Sequence, residues 1–239
     1  MGRTILLTGA SSGIGRAIGL DLLATGHTVV GLARDPSRFP AGHAAFHPCP
    51  VDLADLDALP RRLGEIAADH PTVDALICNA GRGLFGHLEQ FSYAQIRTAL
   101  DLNFTSHVLT VRAFLPQLKQ RHRGDIVFTG SEAALQGARQ GGLYCAAKFA
   151  LRGLAQALRA ECAPAGIRVT LVNPGLVRTP FFDELDFAPG PESDHAIAPE
   201  DVAQAVRLAL EARPGTVIDE INLSPQKHVL SKKAKGKTQ

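Results

Sequence analysis

The sequence predicts an α/β fold, a doubly wound parallel sheet of about seven strands with helices on both faces. Short apolar runs alternate with helix-period patterns from end to end, the order expected when parallel strands are joined by crossover helices. A length of 239 residues, 45% hydrophobic and 20% charged, suits one globular domain with one sizeable core. No linker and no internal repeat divides the chain, so residues 1–239 read as a single domain.

Taken in order, Ile5-Leu6-Leu7 is the first strand and Thr28-Val29-Val30-Gly31-Leu32 the second. Between them Arg16 to Leu23 has the apolar spacing of a helix lying on the sheet. The third strand spans Ala45 to Val51, and Pro48 and Pro50 make it irregular or place it near an edge. Later strands are expected at Ala75–Cys78, Asp125–Phe128, Val169–Val172 and Val217–Ile221. Helical patterns cover about Leu56–Asp69, Tyr93–Gln120, Tyr144–Cys162 and Pro199–Glu211. The segment 181–198, rich in Pro, Gly and acidic residues, breaks the alternation. It is expected to be a mobile substrate loop, since loops of this length are usually functional. Residues 231–239 read as a basic, solvated and mobile tail.

Composition excludes several functions. A net charge of +2 is too small to argue for a nucleic-acid or membrane-surface partner. The apolar run at the start is too short for a signal peptide, and no stretch approaches the ~20 apolar residues of a membrane span. Cys49, Cys78, Cys145 and Cys162 form neither a CxxC pair nor a metal-ligand spacing, so they read as reduced thiols of a cytoplasmic protein.

Two motifs carry chemistry. Thr8-Gly9-Ala10-Ser11-Ser12-Gly13-Ile14-Gly15 joins the first strand to the first helix. Glycines there let the backbone approach a pyrophosphate, and the helix N-terminus supplies N–H groups and a favourable dipole. The bland alternative is a tight turn with helix caps at Ser11 or Ser12. At the end of the second strand stands Arg34, whose guanidinium suits a ribose 2′-phosphate and so NADP(H). The alternative has Asp35 on the ribose hydroxyl, which would mean NAD. Further on, Tyr144 and Lys148 stand one helical turn apart, so an ammonium lies on the same face as a phenol. An unperturbed phenol has a pKa near ~10, and a nearby cation favours its anion. A Tyr-x-x-x-Lys pair alone is a poor signal, but Ser131 ends an apolar run upstream and Asn103 precedes it.

Together these residues resemble the short-chain dehydrogenase/reductase family, from Thr4 to about Leu223. The resemblance implies a Rossmann-type fold and a nicotinamide cofactor. It implies that Tyr144 transfers a proton, Lys148 supports it and grips the nicotinamide ribose, Ser131 donates to the substrate carbonyl, and Asn103 holds a water. It also implies cofactor contacts at Gly9, Ser11, Ser12, Gly13, Ile14 and Gly15. Asp52 and Leu53 would meet the adenine, and Asn79-Ala80-Gly81 the adenosine ribose. Pro174, Gly175, Val177 and Thr179 would lie along the nicotinamide carboxamide. The expected activity is hydride transfer between NADP(H) and a small carbonyl/alcohol substrate. A catalytically idle dinucleotide-binding regulator would lose the four catalytic residues, and a sugar-nucleotide epimerase or dehydratase would carry a different glycine spacing and a longer chain. Substrate-wall candidates are Tyr93, Ala133, Leu135, Leu176, Phe181 and Phe182, with Arg139 and Arg178 the only evident carboxylate anchors. In the family the two longest helices pack against symmetry mates, so a homo-oligomer, a tetramer or dimer, is expected.

Overall fold

The computed structural model describes residues 2–40 and 42–233. Seven parallel strands make one sheet: β1 (Thr4–Thr8), β2 (Thr28–Ala33), β3 (Phe46–Pro50), β4 (Val73–Cys78), β5 (Gly124–Thr129), β6 (Ile167–Pro174) and β8 (Glu220–Leu223), with β7 named below. Their order is β3-β2-β1-β4-β5-β6-β8, so the direction of winding reverses between β1 and β4. Clefts outside the carboxyl ends of strands at such a reversal are where open α/β sheets bind ligands.

Helices cover both faces. On one side α2 (Leu59–Asp69), α4 (Ser106–Gln120) and α5 (Gly142–Cys162) bury Leu63, Phe114 and Leu151 against Leu76, Ile126 and Phe128 of the sheet. On the other, α1 (Gly13–Ala24) and α6 (Pro199–Glu211) bury Ile18, Leu22, Val202 and Val206 against Ile5, Ile77 and Val127. Because both faces are covered, the inner strands are continuously apolar. At the opposite edge from the ligand cleft, Arg3 binds Asp74 at 3.0 Å and Asp125 at 2.7 Å, and Arg168 binds Asp125 at 2.7 Å. This network ties the starts of β1, β4, β5 and β6 together.

Three expectations differ from the structure. The last strand of the sheet is Glu220–Leu223, not Val217–Ile221, because pairing with Leu171–Pro174 of β6 selects that register. The pattern Tyr93–Gln120 is not one helix: α3 (Tyr93–Leu100) passes through a π-helical turn, Asp101–Thr105, into α4. Such turns add a residue to the helix and redirect a side chain, here Asn103. Segment 181–198 carries short 3-10 turns at Pro180–Phe182 and Ser193–His195 and a short strand, β7 (Phe187–Pro189). The tail expectation fails at its start. Leu230–Lys232 forms β9, antiparallel to β7, and the Lys233 ammonium binds the Phe182 and Asp183 carbonyls. The remainder of that call, 234–239, lies outside the described residues. The prolines of β3 sit on the sheet edge, where a missing N–H costs no ladder bond.

Candidate active site

The residues singled out from the sequence for cofactor binding and catalysis lie at or beyond a strand's carboxyl end or on the helical segments Asp101–Thr105 and Gly142–Cys162. Gly9 follows β1 with φ 72°, a left-handed conformation that favours glycine. Gly15 lies where a Cβ would fall 2.1 Å from the Gly9 carbonyl oxygen, so the loop closes only around glycine. Ser12 is the N-cap of α1, yet its hydroxyl makes no capping bond, and no acidic residue occupies the first turn. With Ser11, Gly13 and Ile14 it leaves a helix N-terminus whose N–H groups and dipole suit a pyrophosphate.

Around this loop the other strand ends converge. The Thr8 hydroxyl accepts from the Asn79 and Ala80 N–H groups at 2.9 and 3.1 Å, fixing the turn after β4 against β1. A Cβ at Gly13 would stand 3.2 Å from that of Thr179, which brings the segment after β6 over the glycine loop. Pro174 ends β6, and Gly175 bonds back to the Leu223 carbonyl at 2.8 Å. Val177 is buried and bridges to Ile197. Arg34 is exposed just beyond β2. Its neighbour Asp35 turns its carboxylate to the Ser37 N–H and hydroxyl, capping the 3-10 turn Pro36–Arg38. Beyond β3, Asp52 is exposed and accepts from the Ala54 N–H at 3.0 Å, while Leu53 is buried.

The four catalytic candidates meet beside this cleft. Tyr144 and Lys148 project from the first turns of α5, and the Lys148 ammonium lies 5.6 Å from the Tyr144 ring centre. That ammonium donates to the Thr129 carbonyl at 2.9 Å rather than to the phenol. Burial pushes the Tyr144 phenol up to about 12, and the nearby Ser131 hydroxyl pulls the other way. Burial pushes the Lys148 ammonium down to about 8. Asn103, 2% exposed, accepts from the Arg82 N–H at 3.0 Å and donates to the Arg82 and Ala99 carbonyls. Its amide oxygen and the Lys148 ammonium both face the Cα of Gly81, at 2.8 and 3.8 Å from where a Cβ would be.

Several residues of the site carry no sequence signal. Buried Asn173 accepts from the Ser131 N–H and donates to Glu220 and Asn222, anchoring the serine to β6 and β8. The Glu132 carboxylate lies 3.0 Å from the His228 ring, and its charge adds to the burial that opposes ionisation of the phenol. His107 on α4 is 1% exposed with neither ring nitrogen hydrogen-bonded, and burial, reinforced by Lys148, pulls its pKa down to about 3. Phe85 and Phe187 join Phe181 and Phe182 around Tyr144. Of the wall candidates, Tyr93 is 93% exposed at the start of α3 and Phe182 is buried. Arg178 donates to the Gly190 and Glu192 carbonyls, so its guanidinium holds the loop. Among the described residues there is no cluster of metal-ligating side chains, no helix long and apolar enough to cross a membrane, and all four cysteines are buried free thiols.

The family model for short chain dehydrogenases matches residues 3–188. The chain is 36% identical over 207 residues to estradiol 17-beta-dehydrogenase 1 of Rattus norvegicus, a match covering 81% of this chain and 60% of that protein. The chain therefore spans only about 60% of the length of such relatives. It is 29% identical to sepiapterin reductase of Chlorobaculum tepidum, covering 94% of this chain and 97% of that one. Among solved structures it is similar to an alcohol dehydrogenase of Thermococcus sibiricus complexed with 5-hydroxy-NADP. That likeness has a TM-score of 0.85 and 26% identity, covering 96% of this chain and 99% of the other.

Proposed function

This chain belongs to the short-chain dehydrogenase/reductase family, and from that premise we propose that it is an NADP(H)-dependent oxidoreductase interconverting a small carbonyl compound and its alcohol. The observation that carries the reading is the convergence of Ser131, Tyr144, Lys148 and Asn103 beside an uncapped helix N-terminus.

The residues fit a dinucleotide. The glycine loop would hold the pyrophosphate, Asn79 to Gly81 the adenosine ribose, Asp52 and Leu53 the adenine, and Pro174 to Thr179 the carboxamide side of the nicotinamide. When bound, the cofactor supplies the hydride. The rest falls to the chain. The Ser131 hydroxyl polarises the substrate oxygen, and Tyr144 gives that oxygen its proton. A phenol held well above neutrality by burial is in the protonated form that carbonyl reduction needs. Lys148 keeps a cation beneath the ring, anchored through Thr129, and Asn103 shapes the floor through its bonds to Arg82.

NADP(H) is favoured over NAD(H) because Arg34 is exposed at the end of β2 while the Asp35 carboxylate is engaged by Ser37. The NADP analogue bound by the Thermococcus sibiricus protein supports the same choice. Kinetics with NADPH and NADH test it. The unmodified protein should prefer NADPH, and Arg34→Asp should reverse the preference. A preference for NADH in the unmodified protein would overturn the assignment.

A homo-oligomer in a reducing compartment such as the cytoplasm completes the reading. Phe149 on α5 and Leu208 on α6 beside the edge strand β8 are 44% and 58% exposed, apolar surface suited to a symmetry mate. Solution mass should give a dimer or tetramer, and a stable active monomer would refute it.

A further inference from the structure

We propose that Phe85 and Phe181 form an aromatic clamp over the catalytic phenol, selecting carbonyl substrates that bear a flat apolar group and rejecting those that bear a carboxylate. The proposal rests on the reading of Tyr144 as proton donor.

The clamp is built from two distant segments. The Phe85 ring centre lies 5.4 Å from that of Tyr144 at 45°, and the Phe181 ring centre 5.8 Å from it at 55°. The tips of Phe85 and Phe181 meet over Gly83, where a Cβ would stand 2.8 Å from both rings. A second layer backs them: Phe187 is edge-on to Phe85 at 5.1 Å, and Phe182 contacts Phe181 at 5.2 Å. With both rings packed on the Tyr144 ring, the proposal has the substituents of a substrate whose oxygen bonds the Tyr144 hydroxyl lie against them.

Both jaws are fixed from outside. The Gly86 N–H, next to Phe85, donates to the Gln140 carbonyl at 2.7 Å, and the Gln140 amide lies 2.9 Å from the His87 ring. Gln140 holds φ 62°, a left-handed conformation costly for a residue with a side chain, four residues before Tyr144. On the other side the Thr179 hydroxyl accepts from the Phe181 N–H, and Lys233 and β9 strap the backbone beyond it. Preorganised rings bind a flat group without first losing side-chain freedom.

Charge points the same way. Aromatic faces are electronegative and repel a carboxylate, while burying an anion without a partner is costly. The cations on the ring-bearing segments are engaged elsewhere: Arg82 by Glu184, Arg178 by the Gly190 and Glu192 carbonyls, Lys233 by the Phe182 and Asp183 carbonyls. Two cations oppose this selectivity, the Lys148 ammonium, which is buried beneath the phenol and bonded to the Thr129 carbonyl, and Arg139, exposed in the loop before α5; the oxoacid below tests both.

The test compares kcat/KM for 4-phenyl-2-butanone and 4-oxopentanoate with NADPH, alongside NADPH affinity from cofactor fluorescence. The phenyl ketone should be preferred by more than about tenfold, the scale on which apolar pocket contacts discriminate. Phe85→Ala and Phe181→Ala should each cut that ratio about tenfold with NADPH affinity unchanged. Should either alanine variant fail to fold, Phe85→Leu and Phe181→Leu keep apolar bulk but lose the flat face, and should still lower the ratio. NADPH binding with no preference, with preference for the oxoacid, with neither ketone reduced, or with a ratio that none of these variants moves overturns the clamp. Failure of the unmodified protein to bind NADPH instead brings down the functional reading and the clamp with it.

Discussion

Replacing Lys148 with methionine should stabilise the protein at neutral pH while abolishing its activity. Lys148 is 3% exposed, and burial lowers its ammonium from an ordinary 10.5 to about 8. The unfolded chain therefore keeps this proton up to pH 10.5, the folded one only up to about 8. Below pH 8 both states are charged and folding bears the whole desolvation cost; the cost fades as pH rises from 8 to 10.5. A difference of about 2.5 pH units corresponds to roughly 3 kcal/mol of destabilisation at pH 7. Methionine removes the charge and keeps an unbranched stem, but the Thr129 carbonyl loses its 2.9 Å donor. That loss costs about 1 kcal/mol, leaving a net gain near 2 kcal/mol. For a domain of this size the melting temperature should rise by about 4–8 °C at pH 7. At pH 10 less than about 1 kcal/mol of the charge cost remains, so the gain should vanish. Unfolding of both proteins at the two pH values, without cofactor, measures this. A variant less stable than the parent at pH 7, or equally stabilised at both values, would show that the ammonium is compensated in the fold and the reasoning wrong.

Two further outcomes follow from the site. Tyr144→Phe keeps the ring and its contacts with Phe85 and Phe181 but loses the transferable proton. Its kcat should fall by at least about 100-fold with NADPH affinity little changed, and near-normal turnover would mean that another group carries the proton. His107→Leu removes a buried imidazole that stays neutral to about pH 3, whereas in the unfolded chain it takes up a proton below about 6.5. Stability is therefore lost as pH falls through this window, so the leucine variant should gain about 2 kcal/mol more at pH 5 than at pH 7.5. An equal gain at both would contradict the assignment.

Strand and helix order was legible because each element must present its own apolar face, a local property with a period of its own. The glycine loop and the Tyr144–Lys148 pair were legible for a related reason: one turn or one helix brings their groups together within a few residues. Ser131 and Asn103 came from their spacing in a family pattern, without any local rule that would aim them at the phenol. Tertiary structure decided that aim. Apolar periodicity runs unbroken from Tyr93 to Gln120, and the π turn at Asp101–Thr105 that buries Asn103 against Arg82 leaves no mark on it. Pairing with β6 rather than strand propensity selected Glu220–Leu223 over Val217–Ile221. Ser231 and Lys232 read as solvated tail because their polarity is local information, while the β7 edge that captures them is not. Phe85, Phe181 and Phe187 likewise show no periodicity linking them. They meet because the loops after β4 and β6 leave the same end of the sheet on either side of β5, a contact that depends on strand order rather than on neighbouring residues.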